Sequence, residues 1–365
     1  MQILLKDIEV QNPFKPSYFS DVLIENGRIL EITRNMVVPD AKEISGENKI
    51  ITPGLIDRHT HGGFGCNFNT CSEDELQTYL IKCQEHGIKS VLPTIMTDSI
   101  ENINRQISLI KNVKSKGAKI LGIHLEGPFI NPVKKGIHPE NHILPPTIEN
   151  LNKIDTEFIK VLTYAPELDK DDSFLKELLN RGIVASVGHT DASYETGVKA
   201  FQDGATSLTH LFNAMRPIHH REPSVITAAL HNDDVYLEII ADLEHVHRAI
   251  IENAIVLKPK NKIVLISDAL PISYSDAREA IFGEEKIYYD GHRAASKEGT
   301  LAGSTLFFDD IYKKVSDFIT FRDFLGYITK NVMESLNMEA LCKVEKGSDD
   351  FIIWDKENFK ILSVN

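Results

Sequence analysis

Histidines and carboxylates follow several short apolar segments of this 365-residue chain, and together they could bind a catalytic metal. One apolar run ends in Glu126, and Gly127-Pro128 then ends the strand that the run predicts. A buried carboxylate is costly without a cationic partner, so a metal or a basic group has to face it. The other polar residues at the ends of predicted strands are His59, His61, His189, His210 and, after the last strand, Asp268, and a metal could join them to Glu126.

These residue types predict metal-assisted hydrolysis. His59 and His61 are two residues apart, so they share one face of an extended strand. Neutral imidazoles and carboxylates suit a catalytic divalent metal, and they accept zinc, iron, cobalt or manganese, with zinc or iron preferred here. Asp268 is placed either to move a proton from an activated water to a leaving amine or to act as a further ligand.

A parallel barrel would bring these residues together. Between about residues 50 and 338, short apolar runs alternate with amphipathic segments, which is typical of repeated βα units. In a (β/α)8 barrel, catalytic groups lie at the C-terminal ends of the strands. No Gly-x-Gly-x-x-Gly follows the first strand, so an open dinucleotide-binding sheet has no support. The predicted strands are Leu55–His59, Val91–Ile95, Ile120–Leu125, Ile159–Tyr164, Ile183–Val187, Ser207–Leu211, Tyr236–Ala241 and Ile263–Ser267.

The two chain ends predict a second, smaller unit. Residues 22–32 form a hairpin pattern in which Asn26-Gly27 suits a type I′ turn, and residues 351–364 are similarly rich in strand-forming residues. We therefore expect a small β-sandwich domain from residues 1–50 and 340–365, and a metal-dependent catalytic barrel from residues 51–339. The predicted helices are Glu73–His86, Ile100–Lys114, Ser173–Asn180, Ala249–Leu257, Leu306–Ile319 and a further one near Phe324–Asn337.

The net charge of the chain restricts the kinds of molecule that it could bind. The net charge of −13 argues against nucleic acid or a membrane surface as a partner, and an anionic substrate would need locally concentrated cations. No apolar run reaches the roughly 20 residues that span a bilayer. The N-terminal residues lack the pattern of a secretory signal, and four cysteines in a chain of this length suggest reduced thiols. These features predict a cytoplasmic location.

Longer motifs resemble one enzyme family. Residues 53–62, Pro-Gly-Leu-Ile-Asp-x-His-x-His-Gly, resemble the first-strand signature of the amidohydrolase superfamily. Within it the chain resembles the N-acetylglucosamine-6-phosphate deacetylase family over almost its whole length. This resemblance implies a homodimeric, metal-dependent hydrolase of amino-sugar metabolism that forms glucosamine 6-phosphate and acetate. The motifs that carry it are residues 124–129 (His-Leu-Glu-Gly-Pro-Phe), 134–138 (Lys-Lys-Gly-Ile-His), 210–215 (His-Leu-Phe-Asn-Ala-Met), 221–223 (Arg-Glu-Pro) and 301–304 (Leu-Ala-Gly-Ser).

The resemblance also implies a role for individual residues. Glu126, His189 and His210 would bind the main metal. Whether a second metal binds at His59 and His61 is left open, because some members of the family lack this pair of histidines and hold a single metal. Asp268 would be the catalytic acid and base, and His138 would polarise the acetyl carbonyl. The implied substrate contacts are Ile137, His138, Asn213, Ala214, Arg221, His245, Leu301, Ala302 and Gly303.

Arg221 and His245 are the implied phosphate contacts, which in family dimers come from the neighbouring subunit. The guanidinium fork of Arg221 suits a phosphate. Two residues depart from the family pattern: Arg58 stands where an apolar residue would fit a barrel strand, and Glu244 places a negative charge beside His245. The alternatives left open are the galactosamine epimer as substrate, another amidohydrolase that acts on a cyclic amide or an aminopurine, and a non-catalytic scaffold.

Overall fold

Eight parallel strands form a barrel in the computed structural model, which describes residues 2–339 and 342–362. Each strand pairs in parallel with the next one along the chain. The ring closes where the backbone N–H of Asp268 donates to the His59 carbonyl at 2.9 Å and that of His61 donates to the Ala269 carbonyl at 2.8 Å. The predicted barrel is confirmed. Its strands are Leu55–Thr60, Ile88–Met96, Ile123–Glu126, Ile159–Tyr164, Val184–Val187, Ser207–Leu208, Tyr236–Ile240 and Ile263–Ile266, and the two-residue strand Lys119–Ile120 pairs with the second.

Amphipathic helices cover the barrel. In the helix Ile100–Asn112, the buried residues Ile103, Ile107 and Ile110 recur at helical spacing, and Ser99 caps the N-terminus. None of the helices in the described ranges is both long and apolar enough to cross a membrane. The other α-helices are Glu73–Lys82, Ile148–Leu151, Ser173–Asn180, Tyr194–Gln202, Val225–His231, Arg248–Leu257, Phe308–Val315, Phe321–Ile328 and Lys330–Ser335; the 3₁₀ turns are Cys83–His86, Pro132–Lys134, Glu140–His142, Pro166–Leu168 and Lys260–Lys262.

The prediction of one continuous helix near residues 324–337 is wrong, because the structure has two shorter helices there. Thr329 has φ −134° and ψ −83°, which is outside the helical region, and it separates Phe321–Ile328 from Lys330–Ser335. The second segment, Lys330–Ser335, packs against the first and eighth barrel strands. Its residue Ser335 accepts a hydrogen bond from Arg58 in the barrel interior.

Both ends of the chain contribute to a second sheet. Gln2–Val10 pairs antiparallel with Tyr18–Glu25 and parallel with Lys42–Ser45 and Lys49–Pro53. Phe351–Asp355 pairs with the free side of Lys49–Pro53, so the C-terminal segment completes this sheet. An apolar core separate from that of the barrel lies against it. The predicted domain boundaries stay a prediction, and residues 1, 340, 341 and 363–365 lie outside the described residues. The remaining strands are Arg28–Thr33 and Ile361–Leu362.

A small antiparallel sheet follows the last barrel strand and was not predicted from the sequence. Its Phe282 and Ile287 pack with Met96 and Ile137, above the C-terminal end of the barrel. The ring of Phe282 also contacts His61, with the ring centroids 5.0 Å apart. This sheet therefore covers part of the region where the barrel strands end. Its strands are Glu279–Phe282, Glu285–Tyr289, Ala294–Ser296 and Leu301–Gly303, and a separate two-stranded ribbon joins Gly62–Gly63 to Cys66–Asn67.

Candidate metal centre and substrate pocket

Glu126 ends the third barrel strand and lies among imidazole rings. Its Oε1 atom is 3.1 Å from His189 Nε2 and 3.0 Å from His210 Nε2, and these two nitrogens are 3.0 Å apart. Ligand atoms that lie about 2.0–2.2 Å from one shared ion have mutual separations of about this size. The three side chains are almost fully buried. Glu126, His189 and His210 therefore fit a single divalent metal.

His59, His61 and Asp268 form a second group beside the first. The Nε2 atoms of both histidines are 3.3 Å from Asp268 Oδ1. His59 Nε2 and Asp268 Oδ1 are buried and make no hydrogen bond, which is costly unless a cation lies between them. Glu126 Oε2 lies 3.2 Å from His61 Nε2, so the two oxygens of Glu126 face the two groups. Glu126 could therefore offer an oxygen to a metal in either group.

The strand ends turn sharply to direct these side chains inward. His189, His210 and Asp268 have positive φ angles of 46°, 33° and 50°. Residues other than glycine rarely adopt such angles, and they cluster at functional sites where the surrounding fold holds them. The backbone strain at these three strand ends therefore falls on residues of the same cluster that the short distances between side chains define.

Hydrogen bonds donated by Nδ1 determine which nitrogen of two histidines faces the cluster. His189 Nδ1 lies 2.9 Å from the Lys134 carbonyl oxygen, and His59 Nδ1 lies 3.1 Å from Glu238 Oε2. Because a carbonyl and an ionised carboxylate only accept, Nδ1 carries a proton in both rings and Nε2 is the nitrogen that faces the cluster. This is the tautomer that a metal ligand needs.

The local charges favour ionised carboxylates and a neutral His138. Burial raises the pKa of Glu126, but the charge of His59 and hydrogen bonds from His138, His189 and His210 bring it well below its usual value. Burial likewise opposes ionisation of Asp268, and His59 and His61 outweigh it, so its pKa is lowered. Burial and nearby His189 lower the pKa of His138 to about 4. Two ionised carboxylates among imidazole rings suit a divalent cation.

A cavity of ≈ 400 Å³ opens above this cluster. Lys134, Gly136 and Phe282 line it and were not predicted as site residues; the first two lie inside a recognised motif, whereas Phe282 belongs to the unpredicted sheet. The other lining residues that were not predicted are Val133, Met215, Ile240 and Thr300. The predicted site residues that line the cavity are His61, Glu126, Ile137, His138, His189, His210, Asn213, Ala214, His245, Asp268, Leu301 and Ala302.

Three predicted site residues lie outside the cavity lining. His59 is fully buried beneath it. Gly303 packs against the backbone of Asp268, where a Cβ would lie 2.8 Å from the carbonyl oxygen, so a larger residue would displace the strand end. Arg221 is exposed, and its Nη1 lies 2.7 Å from His220 Nε2. Arg221 therefore does not line the cavity of its own chain, where the phosphate of a substrate would bind.

His245 lines the cavity of its own chain and is held by Asp242. Its Nδ1 lies 2.8 Å from Asp242 Oδ2. Burial lowers the pKa of His245, but the hydrogen bond and the charge of Asp242 raise it above its ordinary value. The carboxylate of Glu244 lies 3.7 Å from Lys314 Nζ and does not line the cavity. The acidic departure at Glu244 therefore does not face the cavity, whereas His245 does, with its protonated form favoured by Asp242.

Known proteins resemble this chain over nearly its full length. The sequence model of the Amidohydrolase family matches residues 50–364. An N-acetylglucosamine-6-phosphate deacetylase of Bacillus subtilis (strain 168) is 32% identical over 377 residues, covering 99% of this chain and 95% of that protein.

Solved structures agree with the sequence comparison. N-acetylglucosamine-6-phosphate deacetylase of Thermotoga maritima has a TM-score of 0.87 and 28% identity, and the match covers 98% of this chain and 96% of that one. A mutant of the Mycobacterium smegmatis deacetylase, solved in complex with N-acetyl-D-glucosamine-6-phosphate, has a TM-score of 0.90 and 26% identity, with coverages of 99% and 96%. The similarity includes both the barrel and the sheet built from the chain ends.

Proposed function

Because this chain belongs to the amidohydrolase family, we propose that it hydrolyses the acetamide of N-acetylglucosamine 6-phosphate to glucosamine 6-phosphate and acetate. The observation that carries the proposal is the contact of Glu126 Oε1 with His189 and His210, at 3.1 and 3.0 Å, at the base of the cavity. Such a cluster is expected of a hydrolase that depends on a divalent metal.

Glu126, His189 and His210 would hold one divalent metal, and His59, His61 and Asp268 would hold a second one beside it. Zinc or iron is the preferred metal of the proposal, since imidazole and carboxylate ligands accept both. When bound, the metal polarises the acetyl carbonyl and lowers the pKa of a water molecule.

Asp268 and His138 would carry the proton transfers. Asp268 is buried beside the cavity, and its lowered pKa keeps its carboxylate ionised, which is the form that can accept a proton from the attacking water. It would then donate that proton to the leaving nitrogen. The Thr97 hydroxyl lies 2.8 Å from His138 Nδ1 and can donate to it, which leaves the proton on Nε2 for the developing oxyanion.

The sugar phosphate would meet cationic groups at the other side of the cavity. His245 is one, because Asp242 favours its protonated form, and the ammonium of Lys134 is another. Arg221 would reach the phosphate from a second copy of the chain, since it is exposed outside the cavity of its own chain. A homodimer is therefore part of the proposal, and we propose a cytoplasmic location for it on the sequence features alone.

The alternatives left open by the sequence are less well supported. The relatives are named for the glucosamine substrate, so neither the galactosamine epimer nor a cyclic amide is favoured. A non-catalytic scaffold would be expected to lose ligands, whereas Glu126 and all four histidines of the cluster converge within contact distance.

Acetate release by the purified, metal-loaded protein tests the proposal. N-acetylglucosamine 6-phosphate should be hydrolysed with a higher kcat/KM than the galactosamine 6-phosphate epimer and than unphosphorylated N-acetylglucosamine. If none of the three sugars releases acetate in a sample whose metal content is verified, the proposed activity is wrong. Faster hydrolysis of the epimer would correct the substrate and keep the reaction.

A further inference from the structure

Arg58 lies fully buried in the barrel interior, next in sequence to His59. Its Nε is 2.8 Å from Glu238 Oε1, its Nη1 donates to Ser335 Oγ, and its Nη2 donates to Ser207 Oγ at 3.2 Å. The other carboxylate oxygen, Glu238 Oε2, is 3.1 Å from His59 Nδ1. Arg58, Glu238 and His59 are thus linked in a line of contacts with no exposed side chain.

We propose that Arg58 and Glu238 are a pair of positioning residues, which hold His59 so that its Nε2 binds a second metal together with His61 and Asp268. This inference rests on the proposed metal-dependent function. It assigns a purpose to Arg58, the residue that departs from the apolar pattern expected of a barrel strand.

Glu238 requires a cation before it can orient His59. A carboxylate buried in a barrel core is strongly disfavoured unless it is paired, and a neutral imidazole supplies one hydrogen bond and no charge. The guanidinium of Arg58 supplies the charge at Oε1 and leaves Oε2 for His59. An apolar residue at position 58 would leave Glu238 without a counter-charge. The two residues are therefore best understood as one unit.

The ring of His59 is held from two sides. Glu238 fixes Nδ1, and the ring of His124 packs edge-on against His59 with centroids 4.4 Å apart at 89°. His124 is itself fixed by Thr163, whose hydroxyl lies 2.8 Å from His124 Nε2. His59 Nε2 is then directed at Asp268 Oδ1, 3.3 Å away, and neither atom has a hydrogen-bond partner. A side chain anchored in this way, with a free nitrogen beside a free carboxylate oxygen, is prepared for a cation.

Two double variants can distinguish the positioning of His59 from a general contribution of Arg58 and Glu238 to folding. R58M/E238Q and R58M/E238L both remove the two buried charges, so neither leaves an unpaired charge in the core. The glutamine retains an oxygen that can accept from His59 Nδ1, whereas the leucine does not. Thermal unfolding of the metal-free proteins reports folding. Zinc content after loading and dialysis, and titration of the second metal with cobalt followed by its visible spectrum, report the site.

The wild-type chain should hold two metals, and R58M/E238L should bind the second about 10- to 100-fold more weakly or lose it, while R58M/E238Q keeps it within a few-fold. Unchanged affinity for both metals in R58M/E238L would overturn the proposal, as would a wild-type chain that holds one metal under saturating zinc. The measurements contain no sugar, so they fail or succeed independently of the proposed deacetylation.

A shorter side chain provides a second test if R58M/E238L does not fold. E238D keeps both charges, but it cannot maintain both the 2.8 Å contact to Arg58 and the 3.1 Å contact to His59. We expect at least about a 10-fold weaker second metal in a protein that still unfolds cooperatively. Wild-type affinity for the second metal in E238D would contradict the positioning role.

Discussion

The Nδ1 atom of His189 lies 2.9 Å from the carbonyl oxygen of Lys134. The backbone of Lys134 thereby orients a candidate metal ligand, while its side chain lines the cavity above that ligand. Among the lysines and arginines in the described ranges, Lys134 is the one that lines this cavity. Its ammonium lies 3.4 Å from Asp191 Oδ1, and Asp191 also binds Arg216 at 2.7 Å, so the side chain is held at the rim.

Replacing Lys134 with Met should weaken binding of the phosphorylated sugar and leave the metal in place. The backbone carbonyl that orients His189 is retained, whereas one charge-assisted hydrogen bond to the phosphate is lost. A bond of this kind contributes about 1.5–3 kcal/mol, so KM should rise by about 10- to 100-fold with little change in kcat. The exposed Lys170 changed to Met is the matched control. An equal rise in KM for unphosphorylated N-acetylglucosamine would contradict a phosphate contact.

Asp268→Asn should remove turnover and keep the metal at Glu126, His189 and His210. Asparagine has almost the same shape but cannot accept the proton, so acetate release should fall by about 10²- to 10⁴-fold. Elemental analysis should still find the main metal. The exposed Asp276 changed to Asn controls for loss of charge. If the protein loses all its metal along with its activity, Asp268 is chiefly a ligand.

The pH dependence of phosphate binding should follow His245. Since Asp242 raises the pKa of His245, the cationic form is present below that pKa and is lost as the pH rises through it. The pKa of Asp242 is lowered to about 2, because His245 and backbone N–H groups outweigh burial, so Asp242 stays ionised over the working range. KM for the phosphorylated sugar should therefore rise at alkaline pH.

Asp242→Asn should move this rise in KM to lower pH, because the carboxylate that favours the imidazolium is gone. Steady-state kinetics between about pH 6 and 9, with the unphosphorylated sugar as control, would measure the shift. A KM profile that is the same in the variant and the wild type would exclude His245 as the titrating phosphate contact.

Local sequence signals account for the barrel and for the residues at its strand ends. Parallel strands buried on both faces must be continuously apolar, so the polar residue that follows each run lies at the functional end. The turn signal was equally local: Asn26 and Gly27 have φ of 50° and 76°, as a type I′ turn requires, and the hairpin is confirmed.

Contacts between distant segments were not accessible from the sequence. Arg58 looked out of place because its partner Glu238 lies on the seventh barrel strand, and only closure of the ring brings them together. The antiparallel sheet of residues 279–303 has strands of only three to five residues with a mixed burial pattern, which leaves a weak period-2 signal. Phe282, which covers His61, was missed for that reason.

Gly326 should not tolerate alanine, although alanine favours helices. A Cβ at this position would lie 2.1 to 2.4 Å from three ring atoms of Phe14, which packs on the helix Phe321–Ile328. Overpacking should lower the free energy of unfolding by about 1–3 kcal/mol, whereas an unobstructed helical glycine would gain about 0.5–1 kcal/mol on the same change. Denaturant unfolding measures the sign. The variant F14L/G326A should recover part of the loss, and a stabilised Gly326→Ala protein would contradict the packing.

Arg221 should act on the cavity of a second chain, and mixed dimers can test this directly. Arg221→Ala and Asp268→Asn should each be nearly inactive on the phosphorylated sugar as homodimers. In a hybrid dimer, one site would carry both defects, while the other would combine an intact Asp268 with an intact Arg221 from its neighbour. Co-refolding or subunit exchange should therefore restore activity, up to one working site in each hybrid. If Arg221 served its own chain, both sites of the hybrid would stay defective, and mixing would restore nothing.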